Sequence, residues 1–199
     1  MATTGLNAQL GMFGTREDYL LPLLNTALSG NYLSDTKRIK YLGDDFSLVQ
    51  GVEVDISGLV ITITQNVSAG YGSAKVLEFS KGNLSIENAI LTGPVTMGAN
   101  SGASEALLTA VGHAAADSTV ALASNEVTVI PSASTTIAAR VGTVTNVKTS
   151  KTFIDGTGTA ASIYINVGQA ANVGGASSAT FGTGARLRIY YTQTETYDV

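Results

Sequence analysis

The chain has 199 residues, 44% hydrophobic and only 13% charged, with a net charge of −4, one His and no Cys. This length suits one large domain with an appendage, or two small domains, and the acidic balance argues against a general nucleic-acid binder, because phosphate affinity rests on clustered Lys and Arg. Without Cys there are no disulfides and no thiolate zinc sites.

Residues 1–43 read as an arm. The start of the chain has neither a basic opening nor a continuous apolar run, so no signal peptide is expected and synthesis in the cytoplasm follows. Thr15 or Asp18 is placed to cap a short helix that starts close to Pro22, presents Leu20, Leu21, Leu23, Leu24 and Leu28, and ends at Gly30. Such a helix is not stable alone and needs a surface to dock on. Its anchors are Tyr19, Leu20, Leu23, Leu24 and Tyr32. Three cations in four positions, Lys37, Arg38 and Lys40, suit steering onto an acidic surface.

From residue 44 to 199 the apolar period is two, which predicts an all-β domain of eight or nine strands. The runs are FSLVQ, GLVITITQNV, AKVLEFS, NLSIENAIL, STVALAS, NEVTVIP, STTIAARVGTVTNV, ASIYINVG and ARLRIYYTQT. That count fits a jelly roll or related antiparallel sandwich. The one exception is residues 101–118, where Ser104 precedes Leu107, Leu108 and Val111 at helical spacing, so a turn or two of helix is expected. From Gly156 to Ala185 no side chain is charged. Surface charge keeps domains apart, so this tract is expected to lie at a subunit interface, in a trimer. In the last strand Ala185, Leu187, Ile189 and Tyr191 share one face, and Arg186, Arg188, Tyr190 and Thr192 the other.

The chemical motifs are weak. His113 stands alone, without a partner spacing for a triad or metal pair. Gly43-Asp44-Asp45 reads as a turn, and Glu53 with Asp55 as a solvated face before a calcium pair. Gly-x-Gly at Asp155–Ala161 and Phe181–Ala185 lacks the strand-to-helix setting of a nucleotide loop and reads as hairpin turns. No catalytic residue, metal or cofactor is therefore expected, and the chain is not read as an enzyme. Arg186 and Arg188 either meet an acidic partner or stand in water.

A Leu- and Tyr-bearing arm, followed by a low-charge β-domain rich in Thr, Ala, Gly and Val without Cys or Trp, resembles the capsid decoration, or cement, proteins of tailed phages. The resemblance implies a homotrimer on the capsid exterior of the virion, clamping neighbouring copies of the major capsid protein, with no nucleic-acid or membrane partner. The candidate partner-binding residues are those of the arm, Tyr19, Leu20, Leu23, Leu24, Tyr32, Lys37, Arg38 and Lys40, with Arg186 and Arg188 of the last strand. The alternative is a head-fibre, tail-fibre or receptor-binding module that recognises a host glycan through Tyr164, Tyr190 and Tyr191.

Overall fold

The computed structural model describes residues 39–42, 49–66, 69–99, 101, 104–117, 122–148, 150–169 and 177–195. The predicted arm helix and its anchors Tyr19, Leu20, Leu23, Leu24 and Tyr32, with Lys37, Arg38 and the Gly43-Asp44-Asp45 turn, lie outside these residues. What is described is almost wholly antiparallel sheet. In chain order the strands are β1 (Ile39–Leu42), β2 (Gln50–Asp55), β3 (Val60–Asn66), β4 (Ala69–Glu78), β5 (Gly82–Met97) and β6 (Ser104–Gly112). They continue as β7 (Ile130–Ala138), β8 (Val141–Lys148), β9 (Thr152–Gly156), β10 (Ser162–Gln169), β11 (Ser177–Phe181) and β12 (Arg186–Glu195).

The arrangement is organised around β5, which at 16 residues far exceeds the usual strand of about 5–6. Its length serves four partners. Along one edge it pairs with β12 from Gly82 to Thr92 and then with β11 from Val95 to Met97. Along the other it pairs with β9 from Gly82 to Ile86 and with β8 from Ala89 to Thr96. Following the pairings from β5 through β8, β7, β6, β10, β4, β3 and β11 leads back to β5. The result is a barrel-like closure, which removes sheet edges and, at eight strands, encloses just the volume that side chains fill. Ile63, Val76, Leu91, Leu107, Val144 and Ile165 are among the buried residues that fill it. β12, β2 and β1 extend the sheet beyond the lower half of β5. Phe79 and Tyr191 meet edge to face there, with ring centroids 4.6 Å apart.

Two places show how the closure is made. Where β12 gives way to β11 along β5, Gly93 has φ +142°, and a Cβ added there would stand 2.3 Å from the Ala185 Cα. No side chain fits. The neighbouring Pro94, which has no N–H, is tolerated because its carbonyl takes the Gly182 N–H while its register partner is Thr143. On the other side of the ring β7 and β8 share the single register pair Ala138↔Val141. Past it, side chains take over the wall. Asn146 Nδ2 donates to the Thr109 carbonyl at 2.9 Å and to its hydroxyl at 2.6 Å, and Lys148 Nζ donates to the Thr128 carbonyl and the Thr152 hydroxyl.

Several sequence expectations need correction. Residues 104–112 are not helical but form β6, which lies between β10 and β7 with Leu107, Thr109 and Val111 turned inward. A place between two strands overrides the helix preference of Ala and Leu. The run NEVTVIP is not a strand until Ile130, because Ser124–Glu126 form a 3-10 turn. Neither Gly-x-Gly segment is a hairpin: β9 pairs with β5 while β10 pairs with β4 and β6, and the Phe181–Ala185 turn moves the chain from β11 to β12 along one edge of β5.

Within the Gly156–Ala185 tract, the neutrality of Ile165–Gln169 has a cause inside the single chain. β10 is buried on both sides from Ile165 to Gln169. A long connection between β6 and β7 covers its outer side. Asn166 clasps that connection, donating from Nδ2 to the carbonyls of Ala114 and Glu126 and accepting the Ala116 N–H. The Glu126 carboxylate takes the N–H groups of Asp117 and Ala123. A charged residue on this part of β10 would be buried without a partner.

Candidate functional site

The alternation read in the last strand holds: Ala185, Leu187, Ile189 and Tyr191 are buried, and Arg186, Arg188 and Tyr190 face outward. Tyr191 therefore belongs to the core and cannot meet a glycan, a correction to the exposed set. Tyr190 and Tyr164 are half-buried.

Antiparallel register assembles a row that the sequence keeps far apart. Lys40 of β1 pairs with Glu53 of β2, Glu53 with Arg188 of β12, Arg188 with Ile90 of β5, and Ile90 with Val147 of β8. Cross-strand neighbours of opposite charge stabilise a sheet face by about 0.2–1 kcal/mol. Glu53 serves both arginines. Arg188 Nε donates to its carboxylate, and Arg186 Nη1 lies 3.7 Å from its other oxygen. The hydrogen bond to Glu53 holds the Arg188 guanidinium above its ordinary pKa. Both arginines stay 47% and 39% exposed at the side chain, whereas Glu53 is down to 16%. Glu53 and Asp55 do point the same way, but Glu53 faces cations and Asp55 takes the Ser57 N–H. Among the described residues no group of three or more side chains is placed to hold a metal ion.

The other flank of this outer face was missed by sequence reasoning. A β-bulge in β5 leaves Glu87 unpaired between Ile86 and Asn88, and Lys151 binds its carboxylate at 2.7 Å. That hydrogen bond, with a further one from Ser85, holds Glu87 below the usual carboxylate pKa. The Lys151 ammonium also lies 5.4 Å from the ring centre of Phe153. Phe153 is 74% exposed on the short strand β9. Between the flanks, Tyr190 stands opposite Gly51 on one side and Asn88 on the other. The Asn88 Oδ1 is the buried side-chain oxygen left without a hydrogen-bond partner among the described residues.

This face therefore offers aromatic and aliphatic contact area between two ion-paired rims. His113, at the end of β6, is elsewhere: its Nδ1 lies 2.8 Å from the Thr128 hydroxyl, and burial lowers its pKa, favouring the neutral ring. No helix among the described residues is long and apolar enough to cross a membrane.

No protein-family model matches the chain, and no curated protein matches it. Two solved structures are similar in part. One, described as "CBM4 structure and function", is 11% identical, with 79% of this chain and 96% of that chain covered and a TM-score of 0.29. The other, a family two carbohydrate esterase from Cellvibrio japonicus, is 10% identical, with 76% of this chain and 36% of that chain covered and a TM-score of 0.21. At these TM-scores neither likeness bears on function.

Proposed function

We propose that this chain is a structural virion protein that docks on the outside of a phage capsid and cements neighbouring copies of the major capsid protein. In this reading the barrel-like ring is a jelly roll with an arm, and the docking surface is the outer face of β1, β2, β12 and β5. The observation that carries it is the register row of Lys40, Glu53 and Arg188. In register, Lys40 of β1 and Arg188 of β12 flank Glu53 of β2, and Lys37 and Arg38 precede β1 in sequence by two residues and one. Cations on such a docking surface can orient it onto acidic capsid seams. Binding the shell in preference to free subunits adds to shell stability by mass action.

The test is co-sedimentation with shells of the encoding virus that have been stripped of this protein. Wild type is expected to pellet with the shells. Changing Lys37, Arg38 and Lys40 to Ala, or Arg186 and Arg188 to Ala, should weaken pelleting most at low salt, with the gap from wild type closing as salt rises, since exposed charges are screened. Wild-type protein that stays in the supernatant at micromolar concentration sinks the proposal. A second reading, glycan recognition, is favoured by Phe153 exposed on the same outer face as Tyr190. Its mark is a saccharide-dependent rise in Tm that Phe153→Ala removes.

A further inference from the structure

Four strands bring polar side chains to one end of the sheet. Lys148 ends β8, Thr152 opens β9, Thr128 stands two residues before β7, and His113 follows the last residue of β6. Lys148 is the unusual member, because it is only 6% exposed. Its Nζ donates to the Thr128 carbonyl and to the Thr152 hydroxyl. An ammonium has three N–H groups, and the third finds no acceptor among the described residues.

No carboxylate neutralises this charge. Every ion pair between described residues uses Lys75, Lys151, Arg186 or Arg188. The Glu126 carboxylate, two residues from Thr128, is taken up by the N–H groups of Asp117 and Ala123. A buried ammonium without a counter-charge is costly, and its desolvation accordingly lowers the Lys148 pKa. The groups around it are donors. Thr152 accepts from Lys148 with its oxygen, which leaves its own proton to give elsewhere. The Thr128 hydroxyl donates to the Asn125 carbonyl at 3.3 Å, so the His113 Nδ1, 2.8 Å from that hydroxyl, carries the ring proton and donates. The second ring nitrogen then takes up a proton whenever an anion draws one in.

We infer that this end of the sheet binds a small oxyanion, like phosphate in charge and size, on the Lys148 ammonium and the Thr152 hydroxyl, with His113 as a neighbouring charge. The anion supplies both things that Lys148 lacks, an acceptor for its third N–H and a counter-charge. Lys148 and His113 each stand one hydrogen bond from Thr128, which keeps them within about 10 Å, a Debye length at 0.1 M salt. This inference does not rest on the capsid reading.

Thermal unfolding of the full chain in a zwitterionic buffer at neutral pH, with inorganic phosphate added and ionic strength held constant with sodium chloride, tests it. Wild-type Tm should rise saturably, by about 5–10 °C at a hundredfold excess over Kd. Lys148→Met should lose the rise, and Thr152→Val should raise Kd about tenfold, as loss of a hydrogen bond to a charged group does. The chain has a single His, so its ring resonances give a second readout that needs no variant: phosphate should raise the His113 pKa. An equal rise in Tm for Lys148→Met marks a general salt effect and overturns the inference. So does a wild-type Tm that does not move up to about 20 mM phosphate, or a His113 titration that phosphate leaves in place.

Discussion

Asn146→Ala probes the seam where the ladder between β7 and β8 stops and side chains close the ring. Asn146 is 4% exposed and Thr109 fully buried. Truncation removes the Nδ2 that reaches both the Thr109 carbonyl and its hydroxyl. A buried carbonyl left without a donor costs about 1–3 kcal/mol, and a lost neutral hydrogen bond about 0.5–1.5 kcal/mol. The bulge in β6, between Thr109 and Val111, keeps β7 from supplying a replacement. A loss of about 2–4 kcal/mol is expected, which for a chain of this size lowers Tm by roughly 10 °C. Calorimetry and urea unfolding followed by circular dichroism read it, with Thr145→Ala as the control, because Thr145 is exposed on the same strand and should stay within about 0.5 kcal/mol. A loss below about 1 kcal/mol for Asn146→Ala would refute the seam, since water or a shifted strand would then be closing the wall instead.

Gly93→Ala should be far worse than a surface change, because its Cβ meets the Ala185 backbone at φ +142°; the expected readout is loss of soluble folded protein, while Gly158→Ala, with open space around it, melts like wild type. In the β7–β8 turn, Ala139 and Arg140 hold φ of 48° and 66°, a left-handed pair that Asn-Gly adopts with less strain. Changing both to Asn-Gly should raise stability by about 1 kcal/mol, seen as a Tm higher by a few degrees, and an unchanged or lower Tm counts against that geometry. Lys148 is desolvated, so its folded pKa lies below the 10.5 of the exposed group. Between the two values the unfolded chain binds more protons, and stability conferred at this site rises with pH through that window and levels off above 10.5. The unfolding free energy of wild type minus that of Lys148→Met should therefore increase from neutral pH towards pH 10.5, and a difference that is flat or falls rules out a desolvated amine.

Where burial was one-sided the sequence was readable. Leu187, Ile189 and Tyr191 alternate with arginine and tyrosine in β12, and one face is indeed core. Reading failed where long-range pairing decided the outcome. Gly93-Pro94 looks like the end of a strand, yet β5 runs through it, because the glycine marks a change of partner rather than a turn. Thr152–Gly156 is too short to show a period, which hid Phe153 and Lys151. The arginine ladder was visible, but its carboxylate, Glu53, lies 135 residues away in sequence and only register brings the two together. In β10, neutrality came from Asn166 and the connection that it clasps, a contact that no local pattern announces.

The position of β12 has a consequence for how the chain acquires its structure. This strand, last of the twelve described, is inserted between β2 and β5, whose sequences are complete about a hundred residues earlier. Until β12 arrives, β2 has no route into the sheet, and the lower half of β5 exposes an open edge with Leu84, Ile86 and Ala89 beside it. Contacts this distant in sequence slow folding. During synthesis the early strands must wait with sticky edges. The sparsely charged, threonine-rich make-up of β3 and β8 gives that waiting chain little charge with which to keep its neighbours away, so crowding on polysomes should cost this protein more yield than it costs a helical protein of equal length.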